Sequence, residues 1–217
     1  MSYLEIYNEQ VRDLLSENFN SLMIVEDPIK GIYVPDLKEI AATNNTELKE
    51  LLIKGNSKRA MASTNSNQFS SRSHAIFQIT FEKRESTQTC YSKLSLIDLA
   101  GSERGCMNES KGQRQLEGTK INQSLLTLGN CINILSDKTK LGAYVPYRDS
   151  KLTRLLKDSL GGNTKTLMIA CISPSSAAFI ETINTLKYAE RAKKIKQKVT
   201  KNIKPIGTSL YLSLIHI

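Results

Sequence analysis

The feature that most constrains this chain is a short apolar run at residues 93–97, which ends in Asp98 and is followed by Gly101. The run is long enough for a strand and too short for a helix, and its β-branched content favours a strand. Ligands collect beyond the carboxyl ends of strands in an open α/β sheet, and Asp98 stands at such an end. Gly101 permits backbone angles, or a close backbone approach, that a side chain would prevent. A carboxylate here suits Mg²⁺ held with phosphate oxygens, and it equally suits a residue that only caps the next turn.

Composition and charge narrow the class of protein. The chain has 217 residues, of which 40% are hydrophobic and 24% charged, as in globular proteins with a real core. No apolar run approaches the roughly 20 residues that span a bilayer, and the N-terminus has no signal-peptide pattern. Four widely spaced cysteines and two histidines argue against a zinc site or a disulfide framework and predict reduced thiols in an intracellular protein. A net charge of +9 predicts an acidic partner, which charge alone cannot identify as nucleic acid, membrane or protein.

Hydrophobic periodicity predicts alternating strands and helices. Strand-like segments occur at Ser2–Tyr7, at 75–81 and at Thr166–Ile172. Helical patterns cover residues 46–62, with Asn45 or Thr46 as the cap, and residues 119–137, 149–160 and 181–196.

A polar, serine-rich loop at residues 63–74 precedes the second of these strands. Its serines and Arg72 offer hydroxyls for a metal and donors for phosphate oxygens at the sheet edge. A plain connecting loop is the alternative interpretation, since serine-rich connections are common. His74 has no second histidine or cysteine near it in the sequence, which predicts a hydrogen-bonding structural residue.

Basic residues recur on one arc of the 149–160 helix and in the loop at 105–118. Such an arc can simply be solvated, or it can dock an acidic surface in a chain of this charge. The lysine-rich segment at 193–204 is interpreted as a solvated, flexible linker.

Four segments, taken together and in order, resemble the kinesin motor domain. They are Asn67–His74 (NQFSSRSH), Asp98–Glu103 (DLAGSE), Tyr147–Arg154 (YRDSKLTR) and Ser159–Asn163 (SLGGN). The resemblance runs from Ser2 to about Asn202, and within the family residues 114–133 look most like the family-eight kinesins.

The resemblance implies an α/β fold related to the P-loop NTPases, with a mainly parallel central sheet and helices on both faces. Residues 1–202 are expected to form the C-terminal portion of that domain. Residues 203–217 are expected to form a linker followed by non-native read-through, with a real apolar linker as the alternative. The family's N-terminal strands and its G-x-x-x-x-G-K-[ST] phosphate loop are missing from the sequence. We therefore expect a fragment that does not hydrolyse ATP by itself and that exposes apolar sheet surface.

The first two segments match the family's switch I and switch II. In switch I, the resemblance implies that Ser71 coordinates Mg²⁺ and that Ser70 contacts the γ-phosphate or the attacking water. Asn67 would support the nucleotide. The cofactors implied by these roles are ATP and Mg²⁺, and phosphoryl transfer depends on such positioning and electrostatic stabilisation.

In switch II, the resemblance implies that Asp98 reaches the Mg²⁺ shell through water and that the Gly101 amide senses the γ-phosphate. Glu103 would form an ion pair with Arg72 when the site closes. Release of phosphate would free both switches, so that an ordered segment becomes mobile.

The remaining segments match the microtubule-binding elements of the family, and tubulin would be the acidic partner. Residues 119–137 would form the relay helix, and 195–202 the start of the neck linker. The residues implied to contact tubulin are Lys111, Arg114, Tyr147, Arg148, Lys151 and Arg154.

The expected parent is an ATP-hydrolysing microtubule motor of the cytoplasmic cytoskeleton. It would be a homodimer through a coiled coil outside this chain, with no nucleic-acid partner and no membrane insertion. The alternative is a motor-like module that docks on microtubules without nucleotide, and a phosphate loop upstream in the parent would decide between the two.

Overall fold

The computed structural model describes residues 1–18, 20–28, 31–61, 72–86, 88–101, 113–140 and 142–205. The strands are β1 (Ser2–Tyr7), β2 (Gln10–Asp13), β3 (Val25–Asp27), β4 (Gly31–Tyr33), β5 (His74–Arg84), β6 (Gln88–Asp98) and β7 (Ile203–Pro205). The helices are α1 (Asn45–Met61), α2 (Gln113–Ser136), α3 (Lys151–Leu155), α4 (Lys157–Gly161) and α5 (Phe179–Lys193).

Five strands form one sheet in the order β2-β1-β5-β6-β7, and β3 pairs with β4 in a separate hairpin. The α/β class is confirmed, but strand direction differs from the expected mainly parallel sheet. Every pairing among the described strands is antiparallel. The short connections from β1 to β2 and from β5 to β6 explain two of these pairs, because a connection of two or three residues joins only antiparallel neighbours.

The sheet carries helices on both faces, as expected. Leu4 and Ile6 point to one face of β1, where they pack with residues of α2, α3 and α4. Tyr3 points to the opposite face and packs with Phe77 and the leucines of α1. The alternation follows from the two-residue period of a strand, and it buries both faces of β1.

The start of α1 is held by a reciprocal pair of hydrogen bonds. The Glu47 backbone N–H donates to Asn44 Oδ1 at 2.9 Å, and the Thr43 N–H donates to a Glu47 carboxylate oxygen at 2.8 Å. The Thr43 bonds lower the pKa of the Glu47 carboxyl. The predicted caps, Asn45 and Thr46, were therefore wrong by a residue or two, since both lie inside the helix.

The helix predicted at residues 149–160 is broken into a 3₁₀ turn, Tyr147–Asp149, followed by α3 and α4. Ser150 caps α3 by accepting a hydrogen bond from the Leu152 N–H at 3.1 Å. Leu152 and Leu160 are both buried in the core shared with α2. The apolar spacing was therefore detected correctly, while the break at Leu156 was missed.

The segment Thr166–Ile172, predicted as a buried strand, forms no strand within the described residues. Leu167 is 85% exposed and Ile169 is 81% exposed. A strand persists when neighbouring strands pair with its backbone groups, and no described strand lies beside this one. Leu94 and Leu96 of β6 are also exposed, in agreement with the expected uncovered apolar sheet surface.

The C-terminal part returns to the sheet. Arg191 of α5 donates from Nη1 to Asn133 Oδ1 of α2 at 2.7 Å. Beyond α5, the Thr200 N–H donates to Asn163 Oδ1 at 2.6 Å, and β7 pairs with the start of β6. The first three residues of the expected tail thus belong to the sheet. None of the described helices is both long and apolar enough to cross a lipid bilayer.

Candidate functional site

A buried arginine lies between strands β1 and β6 and the residue that precedes β5. Glu5 of β1 lies opposite Ala75 of β5, which lies opposite Asp98 of β6. Partners across a sheet share a face, so two carboxylates flank one small side chain. Arg59 of α1 fills the gap, with Nη1 2.7 Å from Asp98 Oδ2 and Nε 3.8 Å from Glu5 Oε1.

The same guanidinium holds the end of the serine-rich loop. Arg59 donates from Nε to Ser73 Oγ at 3.2 Å and from Nη2 to the Ser73 carbonyl at 3.0 Å. Ser73 is fully buried and directly precedes β5. Arg59 therefore ties the end of the loop to the end of β6.

Arg59 is not among the residues predicted from the sequence, although its position on α1 carries a signal. Leu48, Leu52, Gly55 and Arg59 recur at helical spacing on α1, so Arg59 continues the buried stripe of that helix. A charged residue on a buried stripe needs partners of opposite charge, which would have prompted a search for acids on the facing strands.

The predicted switch residues that the structure describes lie near the end of β6. The Asp98 side chain is 70% exposed although Arg59 holds one of its oxygens. Arg72 and Gly101 are half-buried, beside Ser73 and just beyond β6. The predicted residues that lie outside the described residues are Asn67, Ser70, Ser71, Glu103 and Lys111, and the side chain of Arg114.

His74, predicted as a hydrogen-bonding structural residue, is confirmed as one. It is 2% exposed and accepts the Ala100 backbone N–H at Nδ1, at 2.9 Å. Its Nε2 lies 2.7 Å from the Ser124 hydroxyl of α2. Burial, with the positive charge of Arg59 nearby, lowers the pKa of His74 from 6.5 to about 4.

Acid is expected to destabilise the fold through His74. Between pH 6.5 and 4 the unfolded histidine binds a proton that the folded one does not, so stability falls as pH falls through this window. The loss is at most about 1.4 kcal/mol per pH unit. Urea unfolding at pH 6.5 and pH 5 measures it, with His74→Gln as the non-titrating control. If the free energy of unfolding falls equally with pH in the wild type and in His74→Gln, His74 is not the group responsible.

A second charged cluster joins the β3–β4 hairpin to residues 147–161, which comprise the 3₁₀ turn, α3 and α4 and are called the α3–α4 region below. Arg148 donates from Nη2 to Glu26 Oε2 at 2.8 Å, and Lys157 donates to Glu26 Oε1 at 2.6 Å. The bonds from Lys157 and Arg148 lower the pKa of Glu26 to about 2. Arg154 donates to the Ile24 carbonyl at 3.3 Å.

The predicted tubulin contacts thus occupy different environments. Arg148 and Arg154 are bound to the hairpin, whereas the ammonium of Lys151 forms no ion pair within the described part of the chain. Tyr147 is half-buried and packs against the core. Glu26 and Lys157 are not predicted from the sequence, because the two residues that pair lie 131 positions apart in the chain.

The Kinesin motor domain family model matches residues 1–195. The chain belongs to the kinesin motor-domain family. It is 52% identical to the human kinesin-like protein KIF19 over 208 residues. The aligned region covers 94% of this chain and 21% of that protein. It is 49% identical over 212 residues to the kinesin-like protein KIN-8B of Arabidopsis thaliana, covering 96% of this chain and 26% of that protein. The chain therefore spans about a fifth to a quarter of the length of these relatives.

The fold also matches a solved kinesin structure. That structure is a KIF14 dimer in a two-heads-bound state with AMP-PNP, in complex with a microtubule. The TM-score is 0.81 at 41% identity, and the match covers 93% of this chain and 59% of that chain. The Xenopus laevis chromosome-associated kinesin KIF4 is 50% identical over 216 residues, 97% of this chain and 18% of that protein. The kinesin resemblance seen in the sequence is confirmed, and KIN-8B carries the family-eight number in its name.

Proposed function

We propose that this chain is the phosphate-sensing and microtubule-docking part of an ATP-driven microtubule motor. One observation supports this most: Arg59 joins Ser73, at the end of the loop matching switch I, to Asp98, at the start of switch II. A single buried cation therefore couples the two segments that must move together when phosphate is bound or lost. Membership of the kinesin motor-domain family supports the same activity.

The residues at this edge suit MgATP. Asp98 carries a hard carboxylate that is 70% exposed at a strand end, which fits the outer shell of Mg²⁺. Ser71 would be the direct metal ligand, with Asn67 and Ser70 on the nucleotide and its γ-phosphate. Bound Mg²⁺ would neutralise charge on the phosphate oxygens.

The chain's own residues would act by position. Gly101 would offer its amide to the γ-phosphate, and Arg72 and Glu103 would pair across the closed site. Arg59 orients Asp98 and holds Ser73, so the two switch segments start from fixed points. These contributions are positional and electrostatic, which is what phosphoryl transfer requires.

The basic surface of the α3–α4 region is proposed as the tubulin-docking face. It comprises Tyr147, Arg148, Lys151 and Arg154, with Lys111 and Arg114 as further contacts. A net charge of +9 favours association with an acidic surface. The complete protein is proposed to act on microtubules in the cytoplasm, as a homodimer through a coiled coil outside this chain.

Lys151→Ala is expected to weaken microtubule binding about fivefold, equivalent to about 1 kcal/mol, more at low salt than at high salt. Lys151 is the cleaner probe, because Arg154→Ala would also remove the bond to the Ile24 carbonyl. Co-sedimentation with microtubules at two salt concentrations measures the effect. Lys54→Ala, the same charge change on the exposed surface of α1, is the matched control. Equal binding by the two variants would reject this docking face.

The activity itself is tested on the complete protein that contains this chain. Microtubule-stimulated ATP hydrolysis is expected, and Gly101→Ala is expected to abolish the stimulation. Microtubule binding that neither needs nucleotide nor accompanies hydrolysis would instead establish a nucleotide-independent docking module. Robust stimulated hydrolysis by residues 1–204 alone would contradict the expectation that the fragment is inactive.

A further inference from the structure

The His74 ring connects two elements of the fold through its two nitrogen atoms. On one side is the segment that follows β6, through the Ala100 N–H at 2.9 Å from Nδ1. On the other side is α2, through the Ser124 hydroxyl at 2.7 Å from Nε2. His74, Ala100 and Ser124 are each no more than 5% exposed, so water does not compete for these bonds.

The hydrogen bonds determine which tautomer the ring adopts. Nδ1 accepts the Ala100 N–H and therefore carries no proton. In a neutral imidazole the proton then lies on Nε2, which donates to the Ser124 hydroxyl oxygen. The aromatic ring between its two nitrogens is rigid, so a displacement at one bond is passed to the other.

The two ends of this connection have different proposed roles. Ala100 directly precedes Gly101, whose amide is the proposed phosphate sensor. Ser124 lies in α2, the helix matching the relay helix beside the docking face. Residues 102–112, the covalent connection between them, lie outside the described residues, and His74 provides a second connection through the core.

We propose that His74 is a positioning residue that transmits the position of the Ala100–Gly101 segment to α2 through Ser124. The proposal rests on the proposed motor function and adds a route to it. Movement of the Gly101 peptide shifts the Ala100 N–H. The imidazole follows this shift and displaces the Ser124 hydroxyl to which it is hydrogen-bonded. Sensing of phosphate and the placement of α2 are thereby linked by two hydrogen bonds and one ring.

Hydrogen exchange in this chain tests the link without any activity. Ser124→Ala removes the hydroxyl at the far end, and the Ala100 amide is expected to exchange about tenfold faster as the ring loosens. Thr127→Val is the matched control, because it removes another buried hydroxyl of α2, and the described hydrogen bonds of His74 go to Ser124 and Ala100. An Ala100 exchange rate that is unchanged in Ser124→Ala, or equally raised by both variants, overturns the proposal.

Turnover by the complete protein tests the transmission. His74→Asn keeps an acceptor near the Nδ1 position but is too short to reach Ser124. His74→Asn and Ser124→Ala are each expected to lower the ratio of microtubule-stimulated to basal hydrolysis about tenfold, and the double variant no further. Full stimulation in Ser124→Ala, or additive losses, overturns the proposal. A wild-type protein without stimulation rejects the proposed motor function instead, and the exchange experiment alone then decides the link.

Discussion

Arg59→Met is expected to lower the free energy of unfolding by about 3–5 kcal/mol, because it leaves a buried carboxylate without its cation. Glu5 is 1% exposed, and its Oε1 makes no hydrogen bond within the described residues. Arg59 Nε, 3.8 Å away, is the positive charge that compensates it. Two hydrogen bonds to Ser73 are lost in the same variant.

The double variant Arg59→Met, Glu5→Gln identifies the cause. Removing the stranded charge is expected to restore a large part of the lost stability, because an apolar or neutral replacement of a buried ion pair is often tolerated. Urea unfolding of the wild type and the two variants gives the three free energies. A loss below about 1 kcal/mol in Arg59→Met would show that the cluster does not hold the sheet together.

Gly55→Ala is expected to destabilise the fold by about 1 kcal/mol net, against the usual helix preference. Alanine ordinarily stabilises a helix interior by up to about 1 kcal/mol over glycine. Here a Cβ would lie 2.2 Å from Tyr3 Cδ1. Two contacts keep Tyr3 from moving. Its hydroxyl donates to Asn56 Oδ1 at 2.7 Å, and its ring packs edge-on against Phe77 with 5.3 Å between the ring centroids. The overlap costs about 1–3 kcal/mol and outweighs the gain in helix preference.

Gly129→Ala provides the comparison within α2. Its added Cβ would meet Tyr188 Cε2 at 3.4 Å, an ordinary contact, so a gain of up to about 1 kcal/mol is expected. Thermal unfolding of the two variants shows whether Gly55→Ala lowers the stability and whether Gly129→Ala raises it. If Tyr3→Leu makes Gly55→Ala neutral, the tyrosine ring is confirmed as the obstacle. Stabilisation by Gly55→Ala in the wild-type background would refute the packing described for α1.

Local patterns predicted most elements correctly. The alternation at Ser2–Tyr7 predicted β1, and the apolar spacing after Gly118 predicted α2. Strand period and helix period are encoded in neighbouring residues, so they need no knowledge of the remainder of the fold. The family resemblance rested on short motifs for the same reason.

Other predictions failed where the outcome depends on distant partners. The apolar run Thr166–Ile172 predicts a buried strand, yet it is exposed, because a buried strand needs neighbours that pair its backbone and other elements that cover its side chains. The antiparallel direction of the described strands depends on how turns and helices return the chain. Neither the burial of a strand nor its direction in the sheet can be predicted from the residues of that strand alone.

The sequence alone determined the strand that ends at Asp98, the glycine that follows it and the apolar spacing that buries Leu152 and Leu160. Those features depend on residue type and short-range spacing. Only the tertiary structure decided that Arg59 binds Asp98 and Ser73 together and that His74 joins Ala100 to Ser124. Buried polar groups must find partners wherever the fold brings them, and here those partners lie 14 to 50 residues apart.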